Sequence, residues 1–326
     1  MITETKLITL EDIFAARARL FGIAKHTPVV RMEDYGGDGR LWIKAECLQP
    51  IGSFKLRGAY NKIASLTAQD RSRGVVTYSS GNHAQGVAYA AKALGIKAVI
   101  VMPSNAPEVK RLATLALGAE IVNVGDGSEE RKQRAEELSA EFGYVVIPPY
   151  DDADIISGQA TCGLEILEDL AAVDLVLAPV GGGGLLGGVA AAIKLTRPEI
   201  KVFGVEPALA GDAAQSFHDG AIASYTGAQT GRTIADGLRT QSIGERNFAH
   251  MQAFVDGIIT ISEEEIKGAM RRMIFSTRLV PEPSGAVATA GALYHSSELP
   301  PFRNAVAVMS GGNVEPEILR QVLDEA

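Results

Sequence analysis

Leu175-Val176-Leu177-Ala178-Pro179-Val180 runs straight into Gly181-Gly182-Gly183-Gly184, and Gly188-Val189-Ala190-Ala191-Ala192-Ile193 follows. An apolar run, four residues without side chains and a second apolar stretch read as strand, turn and helix. Four adjacent glycines carry a heavy conformational cost that close helix–strand packing alone does not demand. Bare backbone there lets N–H groups converge, and the helix N-terminus behind adds the positive end of its dipole. The expected occupant is an anion, above all a phosphate. No Lys-Ser or Lys-Thr pair follows, so this is not the loop that grips nucleoside triphosphates. Gly182-x-Gly184-x-x-Gly187 does match the dinucleotide fingerprint, and Glu206, after Lys201-Val202-Phe203-Gly204-Val205, sits where a ribose-binding acid belongs. On this segment alone a nicotinamide dehydrogenase is an open alternative. The uncharged stretch from Leu175 to Ile193 is also long enough for a membrane span, but Pro179 and six glycines break it.

Strand and helix patterns alternate on both sides of this unit, which predicts parallel sheet covered by helices in an α/β fold. Thr9 and Asp12 suit the start of a helix running to about Phe21. Leu41–Ala45, Gly74–Tyr78, Lys97–Met102, Glu120–Val124 and Ala305–Met309 read as strands, with helices over Pro107–Leu117 and Glu129–Phe142. The units between residues 74 and 150 form a compact block ending at Pro148-Pro149, a boundary signal. The expected organisation is a small mobile domain of residues 74–150 and a large one of residues 1–73 and 151–326. Ala208–Leu238, rich in small residues, reads as irregular loop around one short helix. With 326 residues, 46% of them apolar, the chain can bury a two-domain core. A net charge of −8 argues against nucleic acid or an anionic membrane as partner. Cys47 and Cys162 lie far apart without metal-ligand spacing, and Met1-Ile2-Thr3-Glu4-Thr5-Lys6 lacks signal-peptide form. A reducing cytoplasm is the expected setting.

Three further segments carry chemistry. Ser53-Phe54-Lys55 follows the turn Gln49-Pro50-Ile51-Gly52 and opens a helix ending near Leu66. A lysine in the first turn faces the positive dipole end, which lowers its pKa and favours the nucleophilic amine. A solvated lysine behind a capping Ser53 is the plainer reading. Ser79-Ser80-Gly81-Asn82-His83 follows a strand at the end where open α/β sheets bind ligands, although Ser and Asn also serve as ordinary helix caps. The strand Ala305–Met309 delivers Ser310-Gly311-Gly312-Asn313. Each is ambiguous alone.

Together, Ser53-Phe54-Lys55-Leu56-Arg57-Gly58-Ala59, Ser79-Ser80-Gly81-Asn82-His83-Ala84-Gln85-Gly86, the glycine tetrad and Ser310-Gly311-Gly312-Asn313 occur in the order found in one family. Over essentially its whole length the chain resembles the fold-type II pyridoxal-phosphate (PLP) enzymes, in the serine racemase and serine/threonine dehydratase branch, which includes the 3-hydroxyaspartate dehydratases. The resemblance implies a tryptophan-synthase-β-like fold with two open, twisted, mostly parallel sheets flanked by helices. It implies that Lys55 holds PLP covalently and serves as the base at Cα. Gly181, Gly182, Gly183 and Gly184 would hold the cofactor phosphate, with Leu185 lining the loop. Asn82 would bond the ring hydroxyl, Phe54 would pack beside the ring, and Ser310 would bond the pyridine nitrogen. A serine there mutes the electron sink and favours β-elimination over transamination. Ser79, Ser80, Gly81, Asn82 and His83 would receive the substrate carboxylate, partly through helix N-terminal amides.

Two details refine the resemblance. Threonine dehydratases usually carry Ala where this chain has Ser80; serine racemases and hydroxyaspartate dehydratases carry Ser, a second acid/base on the opposite cofactor face. Glu206, Ala210 and Asp212 match positions that bind Mg²⁺ (or Ca²⁺ or Mn²⁺) through two carboxylates and a backbone carbonyl. Arg131 aligns with a substrate-side arginine, or is one more charge on an amphipathic helix. Arg239-Thr240 departs from the racemase pattern and reshapes the β end of the substrate site, leaving the substrate open. His83 is equally a substrate contact or a satisfied structural histidine. The implied reaction is loss of water from serine, threonine or 3-hydroxyaspartate to give a 2-oxo acid and ammonia, with racemisation by Lys55 and Ser80 as the alternative. The implied assembly is a homodimer.

Overall fold

The computed structural model describes residues 5–324 apart from Ser80, Asn105, Pro107 and Asp126. Among them ten strands form two sheets: β1 (Val29–Met32), β2 (Arg40–Ala45), β3 (Val75–Tyr78), β4 (Ala98–Pro103), β5 (Glu120–Val124), β6 (Val145–Val146), β7 (Leu175–Pro179), β8 (Lys201–Pro207), β9 (Gly257–Ile261) and β10 (Asn304–Met309). The larger sheet has the order β1-β2-β10-β7-β8-β9 and the smaller β5-β4-β3-β6. Only the β1–β2 pair is antiparallel. All strands of the smaller sheet come from residues 75–146.

Alternation along the central strands explains the layers. Leu175, Leu177, Ala305, Ala307 and Met309 face one core, closed by the helices Glu263–Thr277 and Pro283–Tyr294. Val176, Ala178, Val306 and Val308 face the other, closed by Leu186, Val189 and Ile193 of the helix Gly184–Thr196. Both faces are covered, so β7 and β10 are buried along their whole length, as parallel strands require. In the smaller sheet, Val75, Ile100 and Met102 pack with the helices Lys55–Ser65 and Asn82–Leu94. Val76, Val99 and Val101 pack on Ala135 and Leu138 of the helix Ser128–Phe142.

The expected helix start at Thr9 forms as a capping box with Asp12, leading the helix Leu10–Leu20. The expected irregular loop between Ala208 and Leu238 is corrected. It holds 3-10 turns at Ala208–Ala210 and Asp236–Leu238 and two helices, Asp212–Asp219 and Gly227–Thr230. A small-residue composition says little about short capped helices, and Thr226 builds its own capping box with Gln229.

The helix Lys55–Ser65 is seated against the helix Ala153–Asp169 by close backbone approach and by charge. A Cβ on Gly158 would lie 2.7 Å from Gly58 Cα. Buried Arg57 donates Nε and Nη2 to Glu46 at 2.7 and 2.8 Å, and Nη1 and Nη2 to Glu165 at 2.6 and 2.7 Å. Buried Lys44 completes the cluster, 2.8 Å from Glu165 and 3.2 Å from Asp169. Burial alone would raise Glu46, but the Arg57 guanidinium and its hydrogen bonds hold it below the ordinary carboxylate value. Its contribution to stability is therefore present above that ordinary value and lost as pH falls through the depressed one. Replacing Arg57 by Met leaves Glu46 buried without its ion-pair partner and Glu165 with Lys44 alone, a loss of about 3–5 kcal/mol. We expect Arg57→Met to lower the denaturant midpoint strongly at neutral pH, with a deficit that shrinks in acid.

Candidate active site

Three strand ends converge on one cavity of about 990 Å³ between the sheets. β3 delivers Ser79, β7 delivers the glycine tetrad, and β10 delivers Ser310. These are the carboxyl ends of parallel strands, where such folds bind ligands.

Lys55 is the first residue of its helix, behind Phe54 at the N-cap. The approach is pinned by a bridge between Ser53 and Gly311 and by Phe54 N–H donating to the Ser310 carbonyl at 3.0 Å. Lys55 Nζ donates to the Pro149 carbonyl at 2.7 Å and lies 5.3 Å from the centre of the half-buried Phe54 ring. Burial lowers its pKa to about 8. The direction agrees with the helix-start argument, and the cause is desolvation. Ser53 does not cap the helix, since its buried hydroxyl has no hydrogen-bond partner.

The tetrad is bare for steric reasons. A Cβ on Gly182 would overlap the Tyr150 ring, one on Gly183 would lie 2.9 Å from Asn247 Cβ, and one on Gly184 would lie 3.2 Å from the Tyr150 carbonyl. Gly183 also has φ +90°, a left-handed conformation that suits glycine. Asn247 Nδ2 donates to the Gly182 carbonyl at 2.6 Å and holds the loop. The helix Gly184–Thr196 starts with no side-chain cap, so its first N–H groups are open to an anion, with Leu185 beside them on the cavity wall. The helix Asn82–Leu94 likewise starts at Gly81 without a side-chain cap. Gly81 N–H donates to Ser79 Oγ at 3.2 Å.

The remaining expected residues divide. Asn82, Arg131, Thr240 and Ser310 line the cavity. Arg131 Nε donates to the Gly127 carbonyl at 3.3 Å, and the buried Thr240 hydroxyl has no hydrogen-bond partner. Ser310 Oγ makes only a long bond, 3.4 Å, to the Ser284 carbonyl. His83 is buried with Nε2 3.1 Å from the Ile147 carbonyl. Burial, then the Lys55 charge, pushes it down to about 3, so its ring is neutral. Ser80 lies outside the described residues.

Glu206 lies near the end of β8, and Ala210 and Asp212 follow in the turn and helix after it, all three outside the cavity lining. Glu206 accepts from the Ala213 and Ala214 N–H groups at 3.3 and 2.9 Å. Both carboxylate oxygens of buried Asp212 lack partners. Burial, then the Asp212 charge, raises Glu206 well above its ordinary value, and burial raises Asp212 to about 7. Among the described residues no group of three His, Cys, Asp or Glu side chains could hold a metal, so any cation here needs backbone oxygen.

Several site residues were not picked out from the sequence. Tyr150 backs the glycine loop, Pro149 offers its carbonyl to Lys55, and Asn247 braces Gly182. Glu282, buried, accepts from Asn82 Nδ2 at 2.6 Å. Lys110 ion-pairs with Asp236 at the cavity wall. Pro148-Pro149 was legible only as a boundary. Glu282, between Pro281 and Pro283, reads as an ordinary helix start.

Residues 20–311 match the family described as Pyridoxal-phosphate dependent enzyme. The chain belongs to that family. It is 40% identical over 309 residues to an L-threo-3-hydroxyaspartate ammonia-lyase of Saccharomyces cerevisiae, covering 94% of each chain. It is 39% identical to the catabolic L-threonine dehydratase TdcB of Escherichia coli, covering 98% of each. The structure of maize serine racemase superposes with a TM-score of 0.91 at 36% identity, again over 98% of each chain. The fold is therefore fold-type II, and the dinucleotide reading of the glycines is withdrawn. Glu206 caps a helix with its carboxylate, in a buried place no ribose reaches. Bare glycines facing a lysine amine fit PLP, whose phosphate needs the cradle and whose aldehyde needs the amine.

An ordinary lysine near 10.5 is almost wholly protonated at neutrality, whereas Lys55, near 8, gains neutral amine as pH rises through that value. In the cofactor-free protein, Lys55 acylation followed by peptide mass spectrometry should climb through about pH 8, before the bulk of the lysines. A profile parallel to theirs would contradict the assigned burial.

Proposed function

We propose that the chain is a PLP-dependent ammonia-lyase that removes water from a β-hydroxy amino acid of the serine, threonine or 3-hydroxyaspartate class. The observation that carries this is Lys55, a desolvated amine sharing one cavity with the glycine cradle and the Ser310 hydroxyl. The named activities of the yeast and bacterial relatives support the same class. When bound, PLP supplies an electron sink for charge developing at the substrate Cα. Gly181, Gly182, Gly183 and Gly184 would hold its phosphate, with Leu185 beside them, while Phe54, Asn82 and Ser310 would contact its ring. Ser310 offers a hydroxyl and no carboxylate, which would not hold the ring nitrogen protonated and would favour expulsion of a β-substituent.

The open amides at Asn82 and His83, with Gly81 and the Ser79 and Ser80 side chains, orient the substrate carboxylate. The neutral ring of His83 adds no charge. Lys55 would take the Cα proton and hand it to the departing β-hydroxyl as the Cβ–O bond breaks, so that one water leaves in all. The released enamine hydrolyses to the 2-oxo acid and ammonia. Thr240, with its unpartnered hydroxyl, and Arg131 stand at the substrate's β end. Racemisation as a second activity is supported by the likeness to maize serine racemase and needs Ser80 as a donor on the face opposite Lys55. Residues 74–150 act as a small domain closing on residues 1–73 and 151–326, bridged by the Lys110–Asp236 ion pair. Two free cysteines fit a cytoplasmic protein, and the exposed Phe21 and Phe275 fit a homodimer.

Purified enzyme with PLP should release 2-oxo acid from at least one of L-serine, L-threonine and the 3-hydroxyaspartate stereoisomers. Lys55→Ala should lose that activity and the borohydride-stable cofactor adduct while keeping its melting temperature. An adduct retained on another lysine refutes the role of Lys55.

The pair Glu206 and Asp212, with the Ala210 carbonyl, is proposed as a site for Mg²⁺, Ca²⁺ or Mn²⁺. Two buried carboxylates side by side, one with both oxygens unpartnered, suit a hard cation. A chelator should lower the melting temperature of the wild type, because a ligand bound only to the folded state stabilises it, and leave Glu206→Ala/Asp212→Ala unmoved. With the ion removed, stability should fall as pH rises through about 7, because the folded Asp212 keeps a proton that the unfolded chain has released. Equal chelator responses in both proteins would refute the site.

A further inference from the structure

Asn82, Glu282 and Asn313 form a hydrogen-bonded row on the cavity wall. Asn82 Nδ2 donates to Glu282 Oε1 at 2.6 Å, and Asn82 Oδ1 accepts from Asn313 Nδ2 at 2.8 Å. Asn313 Nδ2 also donates to the Ile51 carbonyl at 2.9 Å. An amide nitrogen carries two hydrogens and no acceptor site, and a carbonyl oxygen can only accept. Both hydrogens of Asn313 are therefore occupied, and its contact with a backbone carbonyl prevents it from turning over. Asn82 must show oxygen to Asn313 and nitrogen to Glu282. One Asn82 hydrogen is left.

The backbone around the row is built to leave room for it. A Cβ on Gly311 would overlap Glu282 Oε1 and lie 3.2 Å from Asn82 Nδ2. A Cβ on Gly52, at φ +73°, would overlap Asn313 Oδ1. The same two glycines tie the segments together. Glu282 N–H donates to the Gly311 carbonyl at 3.1 Å, and Gly312 N–H donates to the Gly52 carbonyl at 2.9 Å. Glu282 is 2% exposed, so it has no water to compete for its acceptor.

We infer that Glu282 and Asn313 are positioning residues that lock the Asn82 amide so that it offers the cavity a donor. Resting on the proposed contact between Asn82 and the PLP ring hydroxyl, the lock makes the ring oxygen an acceptor and keeps its negative charge. Without it, the amide turns freely and presents its own oxygen as readily, which favours a protonated ring oxygen.

The test uses the PLP-loaded enzyme and reads its absorbance band and its PLP dissociation constant. Glu282→Gln still offers Asn82 an oxygen and should retain the visible band. In Glu282→Gln/Asn313→Asp the polarity of the row is reversed, with loss of the hydrogen bond to the Ile51 carbonyl. Asn82 then donates to residue 313 and accepts from residue 282. The visible band should fade in favour of the near-ultraviolet band of a protonated ring oxygen, and the dissociation constant should rise about 10-fold, the scale of a hydrogen bond to a charged group. Should the double variant not fold, Asn313→Ala removes the donor without adding charge and should show part of the same shift. An unchanged band and affinity in whichever of these two variants folds overturns the inference. Borohydride trapping separates the two levels: no Lys55 adduct in the wild type overturns the site reading and the lock together, whereas an adduct with a row-independent band overturns the lock alone.

Discussion

Arg57, two residues beyond the lysine that faces the cavity, holds two carboxylates at once in a buried place. Its guanidinium has five donors in one plane, and Glu46 and Glu165 take four of its hydrogen bonds in two bidentate pairs. Such a pairing fixes angles as well as distances. Glu46 follows β2 and Glu165 lies on the helix that leads into β7, so the arginine ties the lysine helix to the end of β2 and to the helix before β7. The burial of three charges is expensive, and an apolar cluster would hold the helix equally well. What the ion cluster adds is register, because a guanidinium between two carboxylates tolerates no sliding. The position of Lys55 relative to the glycine loop follows from that register.

Glycine does the complementary work. At Gly58 and Gly158 it lets two helices approach at backbone distance; at Gly182 and Gly184 it makes way for Tyr150; at Gly52 and Gly311 it leaves space for Asn313 and Glu282. In each case the space belongs to a residue distant in sequence. A glycine in a motif therefore points to a neighbour, and in this chain the neighbours are site residues or their supports.

This explains which parts were legible in advance. Strand and helix alternation survives in any α/β chain, so the fold class and the main strands could be read locally. β6, two residues long, and β1, four residues beside Pro28, carry too little pattern to be found. The tetrad was visible because four adjacent glycines depart from ordinary element chemistry, whereas Lys55 and Ser310, ambiguous alone, took their meaning from the order of the motifs along the chain. Glu282 was not, since its meaning arises only when residue 282 meets residue 82 across the fold. The lowered pKa of Lys55 was anticipated from the helix start, but the desolvation that lowers it depends on what packs around the amine, which the sequence does not display.

The charge pattern of the cavity follows from the same packing. His83, in contact with the Ile147 carbonyl, is pushed down to about 3 by burial and then by the Lys55 charge, so its ring adds no charge to the cavity. Glu282 is raised to about 7 by burial, then by Asp236, and Lys110 offsets part of that rise. The ion pair between Lys110 and Asp236 thus does more than join the two sheets. It stands beside the acid that holds Asn82, so a lysine from the smaller sheet's side steadies a carboxyl on the larger.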